Sequence, residues 1–527
     1  MFLLSFYSSA NPTDDFMYCK SVSGDKETDV ASIPNQKITL ETHPSLLQTT
    51  ASFLDFKSFL SLSMTSRAVS ENLILMSPPL KISLSRPTGS IGFTKKLRTL
   101  EKFRHCFSSV KLYFQNKEGF WISYIVQEFL QKLTSCRSLR FEQSSVLFIN
   151  DDLNFPQRLK TLILDSQCHK LGVGSFAHFG ELKFLSKLSL LSTIHSSCID
   201  DLTKFLSTHS LRKFKIGSAT LSMLQPGDAS KIILSIRKLQ KFSLVKTDFY
   251  ETGVGHIGQI LPLEPEVFAA MQKLLVTNTN LFSFSIRKLG RVDEKCWKAL
   301  TPTIKLNRIT ILKLDQNYLS WTFSDYEDFF LKFPNLRVLN LNYNHFTQYN
   351  SLRLCSSIKK LSKLEQIVFG GNEIGDEGAQ NLITSLPSSM EQIFLFGCDI
   401  GDAGASKLFA KLCVSEKFSK VWALGLNGNP ISNVGAKALS NCLKTNPSLA
   451  DIGFSFTKMT DMGIVDIASS LQFSTHLRNI YLFNQGNKCA ILTTNYSRRE
   501  LTANLPSNAI ACFDVSSARH IKTLNQL

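Results

Sequence analysis

A chain of 527 residues with 43% hydrophobic content is long enough to bury a large core, and a formal net charge of +17 leaves lysines and arginines on any face it presents. No stretch is long and apolar enough to span a bilayer, and the opening MFLLSFYSSA has neither a basic start nor an apolar run of secretory-signal length. The twelve cysteines contain no C-x-x-C pair and the ten histidines show no metal-ligand or triad spacing. We therefore expect buried thiols, a location in the cytoplasm or nucleus, and a non-catalytic protein with no metal or cofactor.

Residues 1–37 are rich in Ser and Asp without periodicity and read as a flexible lead. From His43 to Ile74 apolar residues cluster at helical spacings, interrupted at Asp55, where a second helix can be capped. Pro44, Leu46 and Leu47, the pair Phe53 and Leu54, and then Leu60, Leu62, Ser66 and Arg67 fall in the order of an opening proline with paired leucines, an aromatic-leucine pair and a following helix. This segment, residues 38–76, resembles an F-box, the small helical module that docks on the adaptor of cullin-type ubiquitin ligases. It departs from that pattern at Thr50 and Val69 and lacks one residue between Pro44 and Leu46. The resemblance implies that Pro44, Leu46, Leu47, Phe53, Leu54, Leu60 and Leu62 bind the adaptor. A helical cap over the first repeat is the alternative reading, since solenoids need covered ends. The basic run Lys95, Lys96, Arg98, Lys102, Arg104 and Lys111 reads as the solvated side of an early helix.

A repeat then fills residues 77–484. It is clearest in LEQIVFGGNEIGDEGAQNL, MEQIFLFGCDIGDAGASKL, VWALGLNGNPISNVGAKAL and LADIGFSFTKMTDMGIVDI, which return roughly every 26 to 31 residues, a period that marks stacked units. Strand segments are predicted to start at Phe107, Cys136, Leu159, Leu185, Leu211, Leu239, Leu281, Ile309, Leu336, Leu364, Met390, Val421, Leu449 and Leu477. Within a rung, Ile367 and Phe369 share one side of a strand and enter the core. Asn372 follows at the turn, where a buried amide satisfies backbone groups of a neighbouring rung, and Asn317, Asn344 and Asn429 share its offset. Asp376, Asp402, Asn433 and Asp461 stand as helix N-caps before apolar positions of helical spacing. The interval from Leu239 to Leu281 is too long by about half a rung and holds Pro262 and Pro265, so an insertion on one face is expected.

The Asn-x-Ile and Gly-Ala positions are similar to the ribonuclease-inhibitor subtype of leucine-rich repeat. That resemblance implies an α/β solenoid, a horseshoe with a parallel sheet inside and helices outside, preceded by the small N-terminal α-helical module. Residues 485–527 remain as a C-terminal cap or tail.

Alternation along the strands predicts which side chains the sheet presents away from its core. Lys187, Lys213, Lys215, Lys241, Arg287 and Lys313 make a basic middle. Phe394, Phe396, Tyr481 and Phe483, with Gly370, Gly425 and Gly453, make an aromatic and glycine-rich later part. These are the candidate target-binding residues, and the basic part suits an acidic or phosphorylated protein segment. The absence of any nucleic-acid module and the interleaving of the lysines with serine and apolar groups disfavour DNA or RNA. Gly253-Val254-Gly255-His256-Ile257-Gly258 spells a dinucleotide fingerprint, but Gly253 falls at the repeat offset of Gly378, Gly404, Gly435 and Gly463, where the repeat itself calls for glycine. The whole reads as a substrate-recognition adaptor of a cullin-type ubiquitin ligase that binds its target on the inner repeat face. The second reading is a leucine-rich-repeat scaffold without a ubiquitin role, such as a GTPase regulator, although the tail lacks the acidic run common in that group.

Overall fold

The computed structural model describes residues 80–85, 107–113, 124–142, 155–165, 177–192, 194, 196–246, 263–322, 326–414, 416–446, 448–482 and 510–512. The 1–37 lead, the 38–76 module, the Gly253–Gly258 segment and most of 485–527 lie outside these residues.

Two compact units divide the chain after Cys198. The first contains β1 (Leu80–Ser85), β2 (Phe107–Tyr113), β3 (Ser138–Glu142), β4 (Thr161–Asp165) and β5 (Lys187–Leu190), each parallel to the next. The second contains β6 (Lys213–Gly217), β7 (Lys241–Val245), β8 (Ser283–Arg287), β9 (Ile311–Lys313), β10 (Val338–Asn340) and β11 (Gln366–Val368). It continues through β12 (Gln392–Phe394), β13 (Ala423–Gly425), β14 (Asp451–Gly453), β15 (Asn479–Tyr481) and β16 (Ile510–Cys512). These strands are likewise parallel and in chain order. Apart from β2, which begins at Phe107 itself, every predicted segment yields a strand starting two residues after its first apolar position. β1 and β16 are additional to the fourteen predicted, and β16 falls within the segment read as a tail.

Parallel pairing requires a crossover after each strand, and here the longer crossovers contain helices that cover one face of the sheet. Ile367, Phe369, Ile393, Leu395, Leu424 and Leu426 are all buried between sheet and helices. Phe214, Phe242 and Phe284 occupy one core position in three successive rungs. The rings of the first two have centroids 6.4 Å apart, and the second pair stacks at 5.5 Å. Burying each such ring contributes about 2 to 3 kcal/mol, so the abundance of phenylalanine is largely a core property. In the long interval, Pro265 is the first residue of the helix Pro265–Thr277, where its missing N–H costs nothing. The extra length is therefore carried by residues before that helix.

The turns are tied together by side chains that reach back to the preceding rung. Asn344 donates from Nδ2 to the carbonyls of Leu314 and Leu341, both at 2.9 Å, while its Oδ1 accepts from Asn317 N at 3.0 Å. Asn372 repeats the pattern, donating to Leu341 O and accepting from Asn344 N. Asn429 donates to Leu395 O and accepts from Cys398 N. Where Cys398 replaces asparagine, its thiol donates to Phe369 O at 3.4 Å, and burial pushes its pKa up to about 12, so it remains a thiol. The residue before this turn position is left-handed in seven consecutive rungs, at Lys288, Gln316, Tyr343, Gly371, Gly397, Gly428 and Phe456. Glycine adopts that conformation without penalty, whereas other residues give up about 1 kcal/mol or more.

The acidic residues expected to cap their own helices bond elsewhere. Asp376 accepts from Gly401 N at 2.6 Å, and Asp402 accepts from Ser432 N and Gly435 N, both at 2.8 Å. Asn433 accepts from Thr460 N and Gly463 N. Each side chain thus caps the following rung's helix rather than its own, which explains the recurring glycines. A Cβ on Gly404 would stand 2.5 Å from Asp376 Oδ1, and one on Gly463 would stand 2.7 Å from Asn433 Oδ1. Burial raises the Asp402 pKa, but hydrogen bonds from the Ser432 hydroxyl and backbone and from Gly435 outweigh it and hold the carboxyl below its ordinary value.

One cysteine pair departs from the expectation of separate thiols. Cys413 and Cys442 are joined between adjacent helices, with Cα atoms 5.4 Å apart. Cys136, Cys198, Cys296, Cys355 and Cys398 are buried thiols outside any disulfide.

Replacing Leu395 with Asp is expected to unfold the rungs around β12, because an unpaired buried carboxylate costs several kcal/mol. Urea denaturation followed by circular dichroism reads this directly, and a cooperatively folded variant of unchanged stability would contradict the packing described. Asn344→Ala should destabilise by about 2 kcal/mol or more, because it leaves Leu314 O and Asn317 N without their buried partner, whereas Leu341 O keeps its bond from Asn372. A loss below about 0.5 kcal/mol in the same measurement would mean that the turn groups find other partners.

Candidate functional site

Side chains between the core positions emerge from the sheet on the side away from the helices, and adjacent strands are in register. They therefore form a lattice with about 4.8 Å between strands and about 7 Å between alternate residues. On β6 to β9 one row runs Lys213, Lys241, Ser283, Ile311 and the next runs Lys215, Ser243, Ser285, Lys313. Val245 and Arg287 pair in a third row, which Asp315 continues two residues beyond Lys313.

Of the predicted basic residues, Lys213 is exposed, while Lys215, Lys241, Arg287 and Lys313 are half-buried on this same unit. Lys187 is half-buried on β5 of the other unit. Arg287 Nε lies 2.6 Å from Asp315 Oδ1, and the Asp315 side chain is only 4% exposed. The Lys241 ammonium sits 5.2 Å from the centre of the Phe282 ring. Burial lowers the Lys313 pKa, and Arg287 and Lys241 lower it further against the opposing influence of Asp315. Neither Lys241 nor Lys313 forms an ion pair among the described residues. The patch therefore keeps an excess of positive charge that its one buried carboxylate does not cancel.

The later part of the face is more covered than alternation alone predicts. Phe394 is 6% exposed and Tyr481 3% exposed, whereas Phe396 is half-buried. Phe394 clusters with Val368 and Ala423, and Phe396 and Trp422 pack against that cluster. The glycines create the room. A Cβ on Gly425 would stand 2.8 Å from Phe394 Cδ1, and one on Gly370 would enter the Phe396 ring. The rings thus lie along the sheet over residues without side chains. Tyr343, 45% exposed, sits beside Phe396 with ring centroids 6.0 Å apart. Phe483 and all the predicted adaptor-binding residues, Pro44, Leu46, Leu47, Phe53, Leu54, Leu60 and Leu62, lie outside the described residues.

Sequence reasoning passed over Ser243, Ser283, Ser285, Asp315, Asn340 and Asn342, which share the face with the lysines. Their offsets were readable, but serine and asparagine lack the charge that singled out their neighbours. It also missed Tyr343 and Trp422, which lie one position off the alternation and come into the cluster by ring size. Among the described residues no group of histidine, cysteine or acidic side chains could hold a metal, and no helix is long and apolar enough to cross a membrane.

A family profile described as a leucine-rich repeat matches residues 360–382 and 388–409, within the rungs of β11 and β12. No curated protein sequence matches the chain. Among solved structures, a Rad7 and Elc1 complex in yeast aligns at 14% identity and TM-score 0.39, over 65% of this chain and 84% of the other. A TLR13–ssRNA13 complex aligns at 14% identity and TM-score 0.39, over 71% and 56%. An internalin from Listeria monocytogenes aligns at 13% identity and TM-score 0.34, over 79% and 99%. Likenesses this distant transfer no residue role. Together with the parallel strands and their helices, the profile match establishes an α/β solenoid of leucine-rich repeats.

Gly370→Ala is expected to dislodge the Phe396 ring and lower stability by about 1 to 2 kcal/mol. The double variant Gly370→Ala/Phe396→Ala should be little less stable than Phe396→Ala alone, because the added methyl then meets no ring. Additive losses in a double-mutant cycle would show that Phe396 is not seated on Gly370.

Proposed function

We propose that this chain is a non-catalytic recognition subunit that binds a target protein on the helix-free face of β6–β15, and that residues 38–76 couple it to a cullin-type ubiquitin ligase. The observation that supports the first half is the division of one rigid face into two chemistries, cations with hydroxyls on β6–β9 and aromatic rings with glycines on β11–β13. Such a face offers charge for orientation and long-range steering beside a flat apolar area for burial. The second half rests on the F-box-like order of Pro44, Leu46, Leu47, Phe53, Leu54, Leu60 and Leu62.

The test is co-purification of a ligase adaptor with the full chain and with a variant lacking residues 38–76. The expected result is that the deletion abolishes adaptor capture while circular dichroism and the urea midpoint of the repeats are unchanged. Recovery of no adaptor, together with loss of repeat stability on deletion, would make the segment a cap and leave a binding scaffold without a ubiquitin role.

A further inference from the structure

Ser285 sits at the centre of the cationic lattice and lacks something. Its hydroxyl is buried with no hydrogen-bond partner among the described residues, and the residue is 6% exposed. Its strand neighbours Phe284 and Ile286 are wholly buried on the helix side, so Ser285 points to the open face. Around it in register stand Ser243 and Lys313 to either side, Ser283 and Arg287 along the strand, and Lys241 on the diagonal. An orphaned buried hydroxyl is unfavourable unless a partner arrives. Among the described residues the one carboxylate on these rows, Asp315, is already engaged by Arg287.

We propose that this cradle is a phosphate-monoester site that receives a phosphoserine or phosphothreonine of the bound protein, with Ser285 and its neighbouring serines donating to phosphate oxygens while Lys241, Lys313 and Arg287 supply the charge. The chemistry fits a compact dianion: several short donors and cations converge within about 7 Å of one point. A peptide source is favoured by a second orphan. Asn342 Oδ1, on a residue 5% exposed, has no donor among the described residues. By the strand lattice it lies about 12 Å from Ser285, roughly the span of three or four extended residues, where a peptide N–H would complete it. A free phosphate or a lipid headgroup brings no such N–H. A nucleic acid would need several rings for its bases to stack on, whereas the helix-free rows of β6–β9 carry none and the half-buried Phe282 ring beside them already faces the Lys241 ammonium. The inference rests on the reading that this face takes a protein partner, but phosphate binding is measured without that partner or any ligase component.

The experiment uses the full chain at low salt with four probes: inorganic phosphate, a degenerate peptide pool with one fixed phosphoserine, the same pool unphosphorylated, and single-stranded RNA. Binding is followed by isothermal titration and by fluorescence polarisation. The phosphorylated pool should bind at least about tenfold more tightly than either inorganic phosphate or the unphosphorylated pool. Ser285→Ala and Lys313→Met should each weaken it several-fold, and Asp315→Asn should strengthen it by freeing Arg287. Lys437→Ala, a distant surface change, should have no effect. Equal binding by Ser285→Ala and Lys313→Met would overturn the site. Phosphate binding without preference for the phosphopeptide pool would overturn the peptide source, and so would RNA binding with the same residue dependence. Failure of adaptor capture with phosphopeptide binding intact would remove the ligase reading alone.

Discussion

A single rung of this protein cannot satisfy its own turn. The chain leaves each strand through a left-handed residue and a buried corner, and the backbone groups exposed there find partners only in the adjoining rung. Asn317, Asn344, Asn372 and Asn429 bridge the corners, with Oδ1 taking N–H groups of the preceding rung and Nδ2 returning to carbonyls of that rung and its own. Because a buried polar group without a partner costs about as much as a core side chain contributes, stacking is obligatory. Each unit is thus stable only as part of a run, with coupling largely between nearest neighbours.

The same logic operates on the helix side. Asp376, Asp402 and Asn433 bind the first turn of the following helix, favourably placed for its partial positive charge. A Cβ at Gly404, Gly435 or Gly463 would crowd these side chains, and at Gly435 and Gly463 also Ile431 and Met459 of the same rung, so the Gly-Ala pattern records close packing both between and within rungs. Corners and helix starts are therefore locked independently, one by amides and the other by carboxylates and an amide. Between them the strands are held in register, with Leu341 N to Val368 O and Phe369 N to Phe394 O both at 2.8 Å.

That rigidity gives the helix-free face its use. Because the core and the corners carry the stability, residues emerging between them are free to vary in chemistry. The first strands of the second unit collect cations and hydroxyls around one engaged carboxylate, while the later rungs collect rings over glycines. Phe394 shows the limit of this freedom: with Gly425 beside it, its ring lies flat and becomes part of a small second core with Val368 and Ala423. Phe396, Tyr343 and Trp422 remain partly accessible rings of that region.

The period, the strand positions, the inward leucines and phenylalanines, and the side of the sheet on which Lys213, Lys215, Lys241, Arg287 and Lys313 emerge were legible in the sequence, because alternation and repeat length are local properties of the backbone. What each outward residue meets was not. Asp376 looked like a cap for its own helix but bonds a residue 25 positions later. Asp315 carried no mark of its bond to Arg287, 28 positions away. Cys413 and Cys442, 29 residues apart, showed no spacing that would pair them. Ser285 became conspicuous only once its neighbours in register were seen to leave its hydroxyl unpaired. All of these partners are about one rung apart in sequence and a few ångströms apart in space. The sequence by itself determined which way each side chain points; only the stacking of one rung on the next decided what it touches.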